Sequence, residues 1–177
     1  MKFTKEDARK RVLNCAKQYQ QNLLHKKLLI IFRERQDNSI RFIEIIFHER
    51  NYQHLTGLEL TNTEGKILQH QSMNFYRKCI ENKLGLNDVD KVMGGINFCL
   101  GLSRENDVFV PSSALLEDIK KLTASPSQVL AIFEKDIDSE LYSTVKHVAK
   151  GLNLHHLILP PEISSKISLE HYVYRGK

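Results

Sequence analysis

Apolar residues near the start of the chain recur at intervals of three and four, which places side chains on one face of an α-helix. They are Ala8, Val12, Cys15, Ala16, Tyr19 and Leu23. Thr4 precedes this run as a candidate N-cap, and Glu6 and Asp7 occupy the first turn, where the helix dipole favours negative charge. The pattern predicts a helix over about residues 5–27 whose apolar face needs a sheet to cover it.

Two apolar stretches after this helix predict a β-hairpin. Leu28 to Arg33 and Ile40 to Phe47 are rich in Ile, Leu and Phe, which are frequent in strands. The residues between them, 34–39, are polar and of turn-forming types.

The rest of the chain predicts further helices and strands. Helices are expected from Ser72 to Leu84 with Gly85 as the stop, behind a capping box formed by Ser113 and Glu117 and extending to Leu122, and from Ser139 to Lys150. Strands, or extended segments, are expected at Ile96–Leu102, Val108–Val110 with Pro111 ending the strand, Val129–Phe133 and Leu157–Leu159. A basic tail covers about residues 168–177.

These elements predict one α+β domain spanning residues 1–177. A small antiparallel sheet would pack against the N-terminal helix and the further helices. The sequence contains no internal repeat or linker that would divide the domain.

The composition adds a modest excess of positive charge. The 177 residues include 26 Lys and Arg against 21 Asp and Glu, a formal charge of +5. Such an excess favours polyanionic partners, RNA among them. The longest aliphatic stretch, Leu28 to Phe32, is too short to span a membrane, and the first residues lack the apolar segment of a signal peptide. We therefore expect a cytoplasmic protein with no membrane partner.

No metal or cofactor site is expected from the sequence. Cys15, Cys79 and Cys99 are widely spaced, and neither a phosphate-binding glycine loop nor a zinc-protease or serine-esterase motif is present. His155 and His156 are adjacent, so on a strand they would face opposite ways.

The segment from Arg50 to Gly57 carries the most distinctive chemistry. In an extended conformation Tyr52, His54 and Thr56 would point to the same side, because alternate residues of a strand share a face. A histidine can take or give a proton near neutral pH, and a hydroxyl can hydrogen-bond a phosphate as its charge develops. The shared face predicts acid–base chemistry on a phosphodiester. The alternative is an ordinary loop histidine beside a turn glycine.

Five basic residues are candidates for contacts with phosphate or RNA. They are Arg33, Arg50, Lys91, Arg104 and Lys135. Arg50 lies close to His54 in the sequence, and Lys91 precedes a pair of glycines that would let a ligand approach. The alternative interpretation is that these are solvated charges at strand ends and turns.

Several segments together resemble the phage-borne branch of the barnase, EndoU, colicin and RelE-like (BECR-type) nucleases. They are Leu28–Arg33, Phe42–Glu44, Asn51–Leu58, Asn74–Cys79, Cys99–Leu102, Leu130–Asp136 and Ala149–Gly151. The resemblance extends from about Leu28 to Ile167, and its most specific piece is the motif from His54 to Gly57. It implies helices leading into a small antiparallel sheet and a metal-independent ribonuclease without a cofactor.

The resemblance also implies roles for individual residues. His54 would be the general acid or base, Thr56 a hydrogen-bond donor to the scissile phosphate, and Tyr52 a stacking or hydroxyl contact. Arg50, Lys91 and Lys135 would stabilise the charge that develops on the phosphate, with Arg33 and Arg104 as further RNA contacts.

Compact relatives imply a narrower function, truncation of the guide RNA of a type II CRISPR effector in a bacterial host cell. The partners would then be RNA and the effector protein. One departure is that family members carry a long insert where this chain joins Asp88 almost directly to Asp90. Two alternatives follow: a non-enzymatic inhibitor that binds RNA or the effector through a basic face, and a ribonuclease toxin.

Overall fold

The computed structural model describes residues 4–58, 60, 62, 64, 66–84, 99–115, 122, 125–168 and 173–174. Helices within these residues are α1 (Lys5–Asn22), α2 (Asn51–Thr56), α3 (Ser72–Ile80), a 3₁₀ helix (Leu154–His156) and α4 (Pro161–Ser164). Strands are β1 (Lys26–Arg33), β2 (Ile40–Ile46), β3 (Cys99–Glu105), β4 (Val108–Leu115), β5 (Gln128–Asp136), β6 (Thr144–Val148) and β7 (Val173–Tyr174). The predicted α+β class is confirmed.

The chain folds into two compact units. The first comprises residues 1–24, 47–103 and 110–118, and the second comprises residues 25–46, 104–109 and 119–177. Helices α1, α2 and α3, the three longest among the described residues, therefore belong to the first unit, and strands β1, β2, β5 and β6 to the second. The expectation of one domain over the whole chain stays a prediction.

Helix α1 begins as the sequence predicts. The Thr4 hydroxyl accepts a hydrogen bond from the Asp7 amide at 3.1 Å, and the Asp7 carboxylate accepts one from the Thr4 amide at 3.0 Å. This reciprocal capping box satisfies amides that have no partner within the helix. The helix ends at Asn22 rather than near residue 27, because β1 already begins at Lys26. Cys15, expected on the apolar face, is exposed.

Five aromatic rings form much of the core of the first unit. They are Tyr19, Phe47, Tyr52, Phe75 and Tyr76, and the recorded distances between neighbouring ring centroids run from 5.2 to 6.1 Å. Such tilted and edge-to-face pairs add to the stabilisation that comes from burial. α1, α2 and α3 are joined through this cluster.

The strands have the order β3-β4-β2-β1-β5-β6-β7. β1 pairs antiparallel with both β2 and β5, and β5 pairs antiparallel with β6. Two further pairings are parallel, since Ile45 of β2 lies opposite Phe109 of β4 and β6 pairs with β7. The sheet is therefore mixed, and the predicted antiparallel arrangement holds for its central strands.

One face of β1 carries the core of the second unit. Leu29 lies opposite Glu44 on one side and Phe133 on the other, and Lys27 lies opposite Lys135. Because alternate residues of a strand share a face, all of these side chains project to the same side of the sheet. Buried side chains that pack against this side include Tyr142, Leu154, Ile163 and Ile167.

Three predictions about secondary structure differ from the structure. The segment expected as a helix from Ser139 to Lys150 contains β6, whose β-branched residues pair with β5. β4 continues through Pro111 to Leu115, so Ser113 belongs to a strand and not to a helix N-terminus.

Other predicted boundaries shift by a few residues or fall outside the described residues. α3 begins at Ser72 as predicted but ends at Ile80, and Gly85 falls outside the described residues. So do residues 96–98 of the third predicted strand and residues 116–121 of the helix expected after Ser113. Leu157–Leu159 is extended without being a strand, and the expected basic tail includes the short strand β7. Among the described residues, no helix has the length and apolar character needed to cross a membrane.

Candidate functional site

The segment that carries the predicted acid–base chemistry is helical. Residues Asn51–Thr56 form α2, and Gly57 follows with φ of 66° and ψ of 17°, a left-handed conformation that glycine adopts without strain and that ends many helices. The extended conformation expected for this segment is therefore wrong. Residues two apart in a helix are rotated by about 200°, so Tyr52, His54 and Thr56 do not share one face.

Tyr52 projects into the core of the first unit. Its residue surface is 3% exposed, and its phenol donates a hydrogen bond to the Val12 carbonyl at 2.5 Å. Burial raises the pKa of the Tyr52 phenol, and the neighbouring Cys79 thiol adds to that effect. The side chain holds α2 against α1, and its burial leaves no ring face for stacking on a base.

Thr56 makes local contacts at the end of α2. Its hydroxyl donates to the Gln53 carbonyl at 2.7 Å and accepts from the Leu58 amide at 3.3 Å. Both contacts satisfy backbone groups that a helix C-terminus leaves without partners. The hydroxyl thus has a structural role in the turn, and its predicted contact with phosphate stays a prediction.

His54 and Arg50 are the exposed residues of this segment with side chains that suit phosphodiester chemistry. Both are exposed, and they are four residues apart, with Arg50 at the N-cap of α2 and His54 in its last turn. Residues at this spacing are neighbours on a helix surface. Arg50 and His54 therefore occupy neighbouring positions on the solvent side of α2.

Asn51 explains how this short helix is anchored. Its side-chain oxygen accepts from the His48 amide at 2.8 Å, and its side-chain nitrogen donates to the Pro111 carbonyl at 2.8 Å. Asn51 and Gln53 are buried polar residues of the first unit. Helix α2 is thus fixed by its buried side, which leaves His54 on a rigid support.

The other predicted phosphate contacts lie in different places. Arg33 ends β1, and its Nε atom is buried with no hydrogen-bond partner among the described residues. Arg104 is exposed at the end of β3, where its Nε donates to the Asn106 carbonyl at 3.0 Å. Lys91 lies outside the described residues.

Lys135 belongs to a group of charged residues that are far apart in the sequence. Lys27 Nζ lies 3.3 Å from Oε1 of Glu44, and Lys166 Nζ lies 3.1 Å from Oε2 of the same carboxylate. We call Lys27, Lys135 and Lys166 the lysine cluster. All of its members lie in the second unit.

Tyr142 connects the parts of this group. Its phenol donates to Glu44 Oε1 at 2.7 Å, and Lys135 Nζ lies 4.9 Å from the centroid of its ring. Its backbone amide donates to the Lys166 carbonyl at 2.8 Å, which fixes the segment that carries Lys166. Lys135 also donates to the Glu140 carbonyl at 2.9 Å.

The surroundings shift the ionisation of these groups in opposite directions. Burial raises the pKa of Glu44, but hydrogen bonds from Tyr142 and Lys166 and the charge of Lys27 outweigh it, so the pKa lies below its usual range. For Lys135, burial lowers the pKa and repulsion from Lys27 lowers it further. The carboxylate is thus held in its charged form, whereas Lys135 experiences an excess of positive charge.

A sequence signal for this group was present in β2. Glu44 lies within the apolar run from Phe42 to Ile46, and a carboxylate in such a strand has to find cations or donors when it is buried. The partners Tyr142 and Lys166 are about a hundred residues away in the sequence, and their approach depends on the tertiary fold. Within the described residues, no three His, Cys, Asp or Glu side chains form a group able to hold a metal ion.

Comparison with known proteins supports part of the resemblance. Residues 11–96 match the family described as phage-Barnase-EndoU-ColicinE5/D-RelE like nuclease4. This range contains most of α1, β1, β2, α2 and α3, and with them His54, Arg50 and Arg33. The resemblance expected to extend to about Ile167 is thus confirmed as far as residue 96. No curated protein and no solved structure matches the chain significantly.

Proposed function

We propose that this chain is a metal-independent endoribonuclease in which His54 transfers the proton. The observation that carries the proposal is that the range similar to a phage nuclease family contains a histidine held on the solvent side of a firmly anchored helix. Arg50, its neighbour on the same helix surface, supplies a cation for the phosphate.

In the proposed reaction, His54 removes the proton of a ribose 2′-hydroxyl as the 2′-oxygen attacks the adjacent phosphorus. The bond from phosphorus to the 5′-oxygen then breaks, that oxygen takes a proton from water, and His54 gives up the proton it gained to the hydroxide that remains. The products are a 2′,3′-cyclic phosphate and a 5′-hydroxyl, so the atoms and protons balance. Arg50 would stabilise the negative charge that develops on the phosphate oxygens, as donors do at such centres.

The proposed substrate is structured RNA, and the resemblance predicts the guide RNA of a type II CRISPR effector as a specific case. The charge of +5 favours a polyanion. A second candidate is a non-enzymatic inhibitor that binds RNA or the effector through basic residues. It is favoured by the internal contacts of Tyr52 and Thr56, which leave fewer groups of the motif for catalysis.

The direct test is cleavage of labelled structured RNA in the presence of EDTA, with the native chain and with His54→Ala. We expect a cyclic-phosphate product from the native chain and a rate about 10²- to 10⁴-fold lower for the variant, the usual contribution of one acid–base group. A matched control is His156→Ala, since His156 is also exposed but lies in the 3₁₀ helix.

Each outcome selects one function. Equal rates for the native chain and His54→Ala would remove His54 from the mechanism. RNA that stays intact while the effector is blocked would favour the non-enzymatic inhibitor. Growth arrest on expression alone, with RNA cleavage, would favour a toxin.

A further inference from the structure

We propose that Lys27, Lys135 and Lys166 form a binding site for a phosphate group, with Glu44 holding two of the three ammonium groups in place. The site depends on the proposed ribonuclease function only if the phosphate belongs to an RNA backbone. It lies within the second unit, and two of its lysines fall outside the range that matches the nuclease family.

The charges in the lysine cluster are out of balance. Two ammonium groups contact one carboxylate, whose side chain is 9% exposed, and the third belongs to Lys135, which lies directly opposite Lys27 in the sheet. Glu140 contributes attraction to Lys135, but that residue is exposed, so solvent screens its charge. One buried carboxylate neutralises only one of the three lysines, and an anion would offset the remaining charge.

The sheet register places two of these lysines side by side. Lys27 and Lys135 are direct partners on β1 and β5 and project to the same side of the sheet. Like charges directly opposite each other destabilise a sheet. A phosphate between the two strands would turn this repulsion into two attractive contacts, which gives a physical reason for two lysines at these positions.

The ammonium groups of the lysine cluster have N–H donors for a ligand and are within reach of solvent. Each lysine ammonium has three N–H donors. Among the described residues, the polar contacts to Glu44 for Lys27 and Lys166, and to the Glu140 carbonyl for Lys135, use one donor on each ammonium group. The side chains of Lys27 and Lys166 are 19% and 35% exposed. They are thus partly dehydrated, which strengthens charge interactions, and remain accessible to a ligand.

Contacts within the protein hold all three lysines of the cluster. Glu44 fixes Lys27 and Lys166 through different oxygens, and the Tyr142 ring lies beneath the Lys135 ammonium. Lys166 also lies over the Phe42 ring, 5.4 Å from its centroid. Preorganisation of this kind reduces the entropy lost on binding.

Lys146 provides a matched control on the opposite side of the sheet. It forms an ion pair with Glu134 at 3.2 Å, and Glu134 lies opposite Leu28, whose side chain projects away from Lys27. This lysine has one carboxylate for its one charge. Lys146→Gln therefore removes the same charge from the chain without touching the proposed site.

The experiment compares the native chain, Lys135→Gln and Lys146→Gln, each in the His54→Ala background so that cleavage cannot interfere. Thermal unfolding is followed as inorganic phosphate replaces chloride at constant ionic strength. Binding to the folded state raises the melting temperature as the ligand concentration increases. We expect this rise for the parent and for Lys146→Gln, and a requirement for about tenfold more phosphate with Lys135→Gln, the scale of one charge-assisted hydrogen bond.

A second arm uses a fluorescent single-stranded RNA to identify the source of the phosphate. If the RNA backbone occupies the site, Lys135→Gln weakens RNA binding about tenfold and lowers the salt dependence by about 0.7 on the logarithmic scale, the value for one phosphate contact. Lys135→Arg keeps the charge and should bind more tightly than Lys135→Gln. If Lys135→Gln weakens the stabilisation by inorganic phosphate but leaves RNA binding unchanged, the site takes a free phosphate group.

Equal responses of the parent, Lys135→Gln and Lys146→Gln to both phosphate and RNA would overturn the proposal. Should Lys135→Gln fail to fold, Lys166→Gln removes a second member of the cluster, and the same comparison applies. Failure of the ribonuclease proposal would appear as absent cleavage by the native chain. That result would leave the binding measurements unaffected, so the two proposals can fail separately.

Discussion

The segment around His54 and the lysine cluster around Glu44 place chemistry in two different ways. In α2, residues that are neighbours in the sequence separate in space, because the helix directs Tyr52 into the core and His54 to the solvent. In the sheet, residues up to 122 positions apart meet at one carboxylate. Residues that are close in the sequence can thus be separated by folding, whereas a single lysine can gain partners that are distant in the sequence.

The two regions also differ in what their tyrosine hydroxyls stabilise. Tyr52 donates to a neutral backbone carbonyl, and Tyr142 donates to a buried carboxylate. A hydrogen bond to a charged group contributes roughly twice as much as one between neutral groups. We therefore expect substitutions around Glu44 to destabilise the fold more than equivalent substitutions around Tyr52.

The largest expected effect is that of Glu44→Gln. This change keeps the size of the side chain and removes the charge that compensates Lys27 and Lys166. Breaking a buried ion pair costs about 3–5 kcal/mol, and we expect the lower end because both lysines are partly exposed. Denaturant unfolding measures the change. Glu162→Gln, at an exposed position in α4, is the control and should shift the free energy of unfolding by less than about 0.5 kcal/mol.

Tyr142→Phe should have the next largest effect, a loss of about 2 kcal/mol in the free energy of unfolding. It removes the 2.7 Å hydrogen bond to Glu44 and leaves the ring beneath Lys135. The same denaturant experiment measures it. In the Glu44→Gln background the loss should shrink, because the acceptor is no longer charged; two fully additive losses would contradict this coupling.

Tyr52→Phe should cost less, about 1 kcal/mol. The Val12 carbonyl that accepts its hydrogen bond lies inside α1 and retains its helical partner, so no buried acceptor is left unsatisfied. RNA cleavage per folded molecule should be unchanged, since the phenol is buried. A fall in cleavage of 10²-fold or more at unchanged stability would instead support the hydroxyl contact that the resemblance implies for Tyr52.

How much the sequence could predict depended on whether the determining contacts were local. The N-cap at Thr4 and the β1–β2 hairpin involve residues close together in the chain, and both were predicted; the reciprocal contact from Asp7 was not. The helix expected from Ser139 to Lys150 failed because pairing with β5 overrides local spacing. In α2, the spacing of three between Tyr52 and Leu55 and the glycine at position 57 were helical signals, but the preceding strand favoured the extended interpretation.

For the candidate site too, the residues set by local sequence could be predicted and those brought together by long-range contacts could not. His54 and Arg50 were predicted from one short segment, and the structure leaves both exposed. Lys135 was predicted only as a single cation. Its partners come from β1, β2 and the segment near α4, so only the register of the sheet and the approach of Tyr142 to Ile167 bring them together. The spacing of these residues in the sequence does not predict that they lie close together in the fold.

The smallest expected effect is a pH dependence of the stability that the Glu44 carboxylate contributes. Burial raises the pKa of Glu44, whereas Tyr142, Lys166 and Lys27 lower it. The lowering contributions together outweigh burial, so the pKa lies below the usual 4.5. A carboxyl whose pKa is lower in the folded state contributes stability that is fully present above its unfolded pKa and is lost as the pH falls through its folded pKa. The difference in unfolding free energy between the native chain and Glu44→Gln should therefore shrink as the pH falls from about 7 to about 3. The difference for Tyr52→Phe should stay constant over this range, because no carboxylate takes part in its hydrogen bond. A difference for Glu44→Gln that grew in acid would mean that the carboxyl is neutral in the folded state, and the lysine cluster would then lack its anchor.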